Sequence, residues 1–178
     1  VELEAPAVSP DASLVLPSTF AGIGSNVVSA AKTDTFSSTS GTYADVTGLS
    51  VTITPTSATS KILLIAQVNI STSGGAGDGT WLAFTGGNAG TYIGDAASTR
   101  QRAVGGVQHD SSTFYVHAEN YPVPMVYLDS PATTSATTYK VQMAVSLGTG
   151  YVNQTGIAND AIRFGRTASS ITAIEVAA

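Results

Sequence analysis

Along residues 47–70 the chain reads TGLSVTITPTSATSKILLIAQVNI, and its pattern changes twice. Val51 and Ile53 alternate with Thr52 and Thr54, the period-two signature of a strand with one buried face. Pro55 has no N–H to give to a ladder and ends that strand, and the Ser/Thr run up to Ser60 supplies a turn. Residues 61–70 are then almost continuously apolar. By periodicity this run suits either a helix or a strand. β-Branched Ile62, Ile65, Val68 and Ile70, set between turn signals, favour a central strand. The stretch is expected to be a strand–turn–strand hairpin whose second strand crosses the core.

The same texture continues on both sides. VVSAAKTDTFS alternates loosely, STSGGAGDGT reads as a glycine-rich hairpin loop, and TWLAFTG is a strand carrying the only tryptophan, Trp81. GNAGTYIGDAA reads as a short turn-rich hairpin, and RQRAVGGVQH, STFYVHAE and VPMVYLD as further strands. SPATTSATT is a second Ser/Thr turn. It precedes YKVQMAVSLG, in which Val141, Met143 and Val145 share a face. In SSITAIEVAA, Ile171, Ala173 and Glu175 alternate against Thr172, Ile174 and Val176. No segment has a capped 3.6-residue apolar period. Roughly eight to ten strands at intervals near 8–12 residues predict an all-β sandwich or barrel. We take it as an antiparallel β-sandwich of jelly-roll type over residues 27–178. Its expected core is Val51, Ile53, Leu63, Ile65, Val141, Met143, Val145, Ile171 and Ala173.

Residues 1–26 read differently, as an extended N-terminal arm. Pro6, Pro10 and Pro17 exclude a helix and favour extended backbone. Leu14, Val15, Leu16 and Phe20 are costly to leave in water, so the arm is expected to dock, on a neighbouring copy or on a larger shell. AGIGSN joins it to the sandwich.

Charge sharpens the picture. Charged residues make up 11% of the chain, against about 25% in an ordinary soluble domain. A polar surface built instead from Ser, Thr, Gly and Asn suits burial against other copies, since interface cores are depleted in charge. It also suits an exposed hydroxyl-rich shell offering few Lys and Arg to proteases. The hydrophobic fraction of 43% argues against disorder. With seven Lys and Arg and a net charge of −5, nucleic acid is not an expected partner. No apolar run approaches a membrane span, and VELEAPAVSP lacks the basic and apolar regions of a signal peptide. The absence of cysteine removes disulfides and thiolate chemistry.

Candidate chemistry is sparse. YVHAE sets Tyr115, His117 and Glu119 on one strand face, and His109–Asp110 lies nearby, but no standard metal-ligand spacing appears, and neither metal nor cofactor is expected. No nucleophile elbow is present. Asp78, Asp95, Asp110, Glu119 and Asp129 fall in or near loops, where a glycosidase pair could converge. Asp is also an ordinary turn residue there. GGAGDG lacks the Lys-Ser/Thr and the helix of a phosphate loop. Trp81, Tyr92, Phe114, Tyr115, Tyr121 and Tyr127 include the aromatics a sugar-stacking platform would need, with Trp81, Tyr92, Tyr115 and Tyr121 as its loop candidates. The sequons at Asn69 and Asn153 matter only in a eukaryotic secretory setting.

Four elements carry a resemblance: Lys32-Thr33-Asp34-Thr35-Phe36, DVTGLSVTITP, SATSKILLIAQV and the closing SSITAIEVA. In this order they resemble a module of tailed-phage virion proteins, like the fibre and capsid-decoration proteins of marine and cyanobacterial phages. The resemblance spans about residues 27–178 and leaves the arm outside. It implies a non-enzymatic β-sandwich at the virion surface, assembled with itself as a homotrimer and attached to capsid or tail. Two competing classes remain. One is a carbohydrate- or receptor-binding module that uses the loop aromatics on a host glycan. The other is a depolymerising enzyme with converging carboxylates.

Overall fold

Ten strands carry the alternation read from the sequence, placed by a computed structural model that describes residues 26–73, 75–109, 119–157 and 159–177. They are β1 (Val27–Lys32), β2 (Phe36–Ser38), β3 (Ala44–Ile53), β4 (Lys61–Thr72), β5 (Gly79–Thr85), β6 (Gly105–Gln108), β7 (Tyr121–Asp129), β8 (Thr137–Val145), β9 (Gly150–Val152) and β10 (Ser169–Val176). Every pairing is antiparallel.

The strands form two sheets. The first runs β1–β10–β4–β7, with β2 and β9 continuing the lines of β1 and β10. Ile70 shows how β4 sits between them: it faces Val152 of β9 along one edge and Tyr121 of β7 along the other. The second sheet runs β3–β8–β5–β6. Each sheet is thus four strand positions wide, and the chain crosses between them at most turns. This is the jelly-roll arrangement of two packed antiparallel sheets. β7 is an edge. Pro122 and Pro124 lie opposite Asn69 and Gln67, so the missing N–H groups are those that would point away from β4.

The expected hairpin at residues 47–70 is corrected. β3 and β4 lie in different sheets, and the turn at Pro55 carries the chain across the sandwich. The glycine loop between β4 and β5 and the Ser/Thr turn between β7 and β8 do the same. Turn chemistry sets where the chain reverses; it does not choose the partner, and both edges of β4 are taken by β10 and β7. GNAGTYIGDAA forms no hairpin either. It is a single 3-10 turn, Ala89–Thr91, followed by loop, because its glycines and alanines give a ladder little to hold. Most of STFYVHAE lies outside the described residues.

Between the sheets, Ile62, Leu64, Ala66, Val68 and Ile70 of β4 meet Leu82 and Phe84 of β5 and Tyr139, Val141 and Met143 of β8 in one core, all fully buried or nearly so. Val51, Ile53, Val145, Ile171 and Ala173 join them as expected. Leu63 and Ile65 do not. They belong to the opposite face, and Ile65 is 42% exposed. Lys61, Gln67 and Asn69 share their parity, and polar residues at both ends of the run decide which way an ambiguous apolar strand turns. In β3 the ladder slips between Asp45 and Ser50, at Gly48 with φ +89°. This bulge lets Val46 and Leu49, three residues apart, both face inward.

The inner row of β10 ends on a carboxylate. Glu175 is buried at the end of β10. It accepts hydrogen bonds from the Thr56 backbone N–H (2.7 Å) and hydroxyl (2.6 Å) and from Asn26 Nδ2 (2.9 Å). It thereby ties the β3–β4 crossover to the start of β1. Burial by itself would raise its pKa; bonds from Thr56, Asn26 and Ser60 outweigh burial and hold it at about 2.

Two predictions follow the register and the clamp. Leu64→Ala should cost about 3 kcal/mol in urea unfolding and Ile65→Ala less than half of that; the reverse order would refute the assigned faces. Because Glu175 titrates below the ordinary carboxylate range when folded, its contribution is complete above about pH 4.5 and is lost as the pH falls towards 2. The melting temperature should drop across that window, Glu175→Gln should flatten the drop, and Glu175→Ala should cost about 3 kcal/mol at neutral pH.

Candidate ligand cleft

Alternation along β5 sends Thr80, Leu82 and Phe84 into the core and leaves Trp81 on the outer face of the second sheet. Its direct neighbours are Gly106 on β6 and Ala144 on β8. A Cβ at Gly106 would lie 2.5 Å from Trp81 Cε3, and one at Gly79 would lie 2.9 Å from Nε1. The indole therefore rests on glycine at two points, with its Nε1–H buried and without an acceptor in the described structure.

Above it opens a cleft of about 640 Å³ that includes Trp81, Thr99, Arg100, Gln101, Gln108 and Ser146 in its lining. That volume is within the usual range for small-ligand sites. Among the described residues, Arg100 is the one charged group in its lining, and no carboxylate joins it. The loop carrying Arg100 and Gln101 is held to the sheet: Tyr43 Oη donates to the Arg102 carbonyl, and burial raises the Tyr43 pKa. An aromatic face beside a guanidinium and two planar amides can hold a sugar ring by stacking and directional hydrogen bonds, and Arg100 adds a preference for an anionic substituent.

The other expected loop aromatics do not join Trp81. Tyr92 stacks on Tyr127 (centroids 4.6 Å apart, planes 14° apart) beside a smaller hollow of about 280 Å³ with Ile93 and Ala103. Tyr121 begins β7 and tilts against His109, ring centroids 6.3 Å apart. Tyr115, with Phe114, His117 and Asp110, lies outside the described residues, as do Leu14, Val15, Leu16 and Phe20 of the arm. The expected platform is therefore not one surface among the described residues; it is one tryptophan cleft with two separate tyrosine sites.

The acidic candidates are also dispersed. Asp129 is buried and accepts from Tyr139 Oη (2.6 Å) and the Asn88 N–H (3.2 Å). Burial, and then this bond, push the Tyr139 hydroxyl well above its ordinary pKa. Asp78 closes the β4–β5 crossover, accepting from Ser73 Oγ (2.6 Å) and the Gly75 N–H (2.8 Å). Asp95 and Glu119 are exposed. Among the described residues no three His, Asp or Glu side chains converge as metal ligands would.

The sequons are structural. Asn153, fully buried at φ +62°, donates from Nδ2 to the carbonyls of Lys32 (2.8 Å) and Asp34 (3.0 Å) and accepts from Ser169 Oγ (2.6 Å). It stitches the break between β1 and β2 to the break between β9 and β10. Asn69 Nδ2 is bonded to the Ala168 carbonyl. Sequence reasoning missed Arg100, Gln101 and Gln108 as cleft residues, since isolated polar residues in a loop or at a strand end carry no pattern. Gly106 did carry a signal, because a glycine inside a strand marks a close approach.

Gly106→Ala should push the indole off its bed, shift the emission of the single tryptophan and cost about 1–3 kcal/mol; unchanged emission and stability would refute the packing.

No protein-family model matches the chain, and no curated protein matches it in sequence. Among solved structures the chain is similar to that of the infectious bursal disease virus Gx strain, with 15% identity and a TM-score of 0.39, covering 85% of this chain and 36% of that one. It is similar also to the D431N mutant VP2 protein of infectious bursal disease virus from derived T=1 particles, with 16% identity, a TM-score of 0.38 and coverage of 98% and 41%. For the Gt strain of that virus the values are 16% identity, a TM-score of 0.37 and coverage of 98% and 43%. The chain spans about two fifths of the length of these viral chains.

Proposed function

We propose that this chain is a non-enzymatic structural protein of a phage virion, a capsid-decoration, head-fibre or tail-fibre module that assembles with itself on the particle surface. The observation that carries this reading is a jelly roll built from a chain that is only 11% charged. Jelly rolls recur as viral capsid domains, and a surface poor in charge is suited to burial against protein. Exposed apolar side chains on loops, Leu147 at 60% and Ile162 fully open, offer contacts between copies or to a shell. The phage assignment rests on the sequence resemblance carried by Lys32–Phe36, the β3 and β4 segments and the closing strand. Light scattering behind a sizing column should give three times the 18.0 kDa of one chain. A monomer at every concentration tested would overturn self-assembly.

A second reading, a glycan- or receptor-binding module, is favoured by the Trp81 cleft with Arg100, Gln101 and Gln108. Under it, Trp81→Ala should weaken binding to host surface polysaccharide about fivefold or more with the fold retained, a stacking contact being worth about 1 kcal/mol or more. Equal binding by the variant would remove this reading.

A further inference from the structure

The outward side of the first sheet is not polar throughout. Val27, Ile174, Leu63 and Leu128 form one row straight across β1, β10, β4 and β7, each the direct cross-strand neighbour of the next. Ile65 and Val126 pair in the following row. Val27, Ile65, Val126 and Leu128 are 48%, 42%, 54% and 43% exposed. Farther along, the pairs are Gln67 with Pro124 and Asn69 with Pro122, so the apolar strip is confined to one end of the sheet. That is the end where the chain enters: Asn26, immediately before β1, is bonded there to Thr54 and Glu175.

We propose that residues 14–20 of the same chain dock on this strip, with Leu14, Val15, Leu16 and Phe20 covering the row from Val27 to Leu128 and the Ile65–Val126 pair. The match is chemical, since residues 12–25 carry no charge and the strip has none. It is also geometric. Residues 21–26 reach about 20 Å when extended, and four strands span only about 14 Å. Gly22 and Gly24 admit the backbone angles needed to double back over the face. Size sets this occupant apart from a second copy. A stable copy–copy interface takes about 20–30 residues a side. Six side chains in two rows are the footprint of a single extended segment. The short tether decides whose segment it is, because a covalently linked segment competes at an effective concentration in the millimolar range.

The test is a double-mutant cycle in the full chain, Phe20→Ala and Val126→Ala, with urea unfolding followed by Trp81 fluorescence. Docking requires that each variant lower the urea midpoint, that the double variant lower it no further than the larger single change, and that this coupling persist on hundredfold dilution. Simple addition of the two shifts would overturn the proposal. Coupling that vanishes on dilution would overturn it as well, by assigning the strip to another copy's segment. A second variant guards against a fold effect. Leu16→Asp with Phe20→Asp should raise the fluorescence of an apolar-surface dye several-fold with an unchanged far-UV spectrum; no rise would also overturn the proposal.

Discussion

β4 has partners along both edges and a core against one face, so its register is the constraint from which the first sheet is built. β10 and β7 take their alignment from residues 61–67 and 62–70, and β9 from the last three residues. A slip of one residue would turn Ile62, Leu64, Val68 and Ile70 outward together. The strand tolerates apolar residues on both faces only because its polar positions, Lys61, Gln67 and Asn69, all belong to one of them. The Glu175 clamp acts at the same end, fixing the crossover that delivers β4 to its place.

Much of the fold was legible in short-range pattern. Strands and turns announced themselves through Val51 and Ile53 against Thr52 and Thr54, through Pro55, and through the alternation at Val141, Met143 and Val145. Pairing was not legible, because whether a strand meets its neighbour in sequence or crosses the sandwich depends on edges occupied by segments far away. The inward face of β4 was misread at Leu63 and Ile65, where the apolar run hides parity and only its polar ends reveal it. Glu175 was read as one member of an alternating row, with nothing local to show that Thr56 and Asn26 would meet it. Trp81 was picked out by type. Its setting was not, since Arg100, Gln101 and Gln108 come to it from loop and strand positions without a periodic signature.

The two outer faces differ in kind. The second sheet carries glycine-floored tryptophan chemistry under a loop held by Tyr43. The first carries aliphatic rows that end where polar residues begin. Asn153 works between these scales, bonding the carbonyls freed where β1 gives way to β2. The Lys32–Phe36 motif that supports the resemblance to virion proteins is the corner at this break, with Lys32 buried and paired to the exposed Asp34 at 2.9 Å. A motif recognised as sequence is here a bend that needs a buried lysine stem and a distant asparagine.

The two prolines of β7 have a consequence for crowding. A chain rich in Val, Ile and Thr, concentrated at many copies in one place, runs the risk that sheets will join edge to edge and grow without limit. Pro122 and Pro124 remove two of the outward donors from that border, so a strand arriving there would meet a ladder broken at two rungs. Continuous edge-to-edge growth is thereby disfavoured at the end of β7 that carries the prolines, and the cost falls on backbone pairing alone, leaving the side chains of that border free to vary.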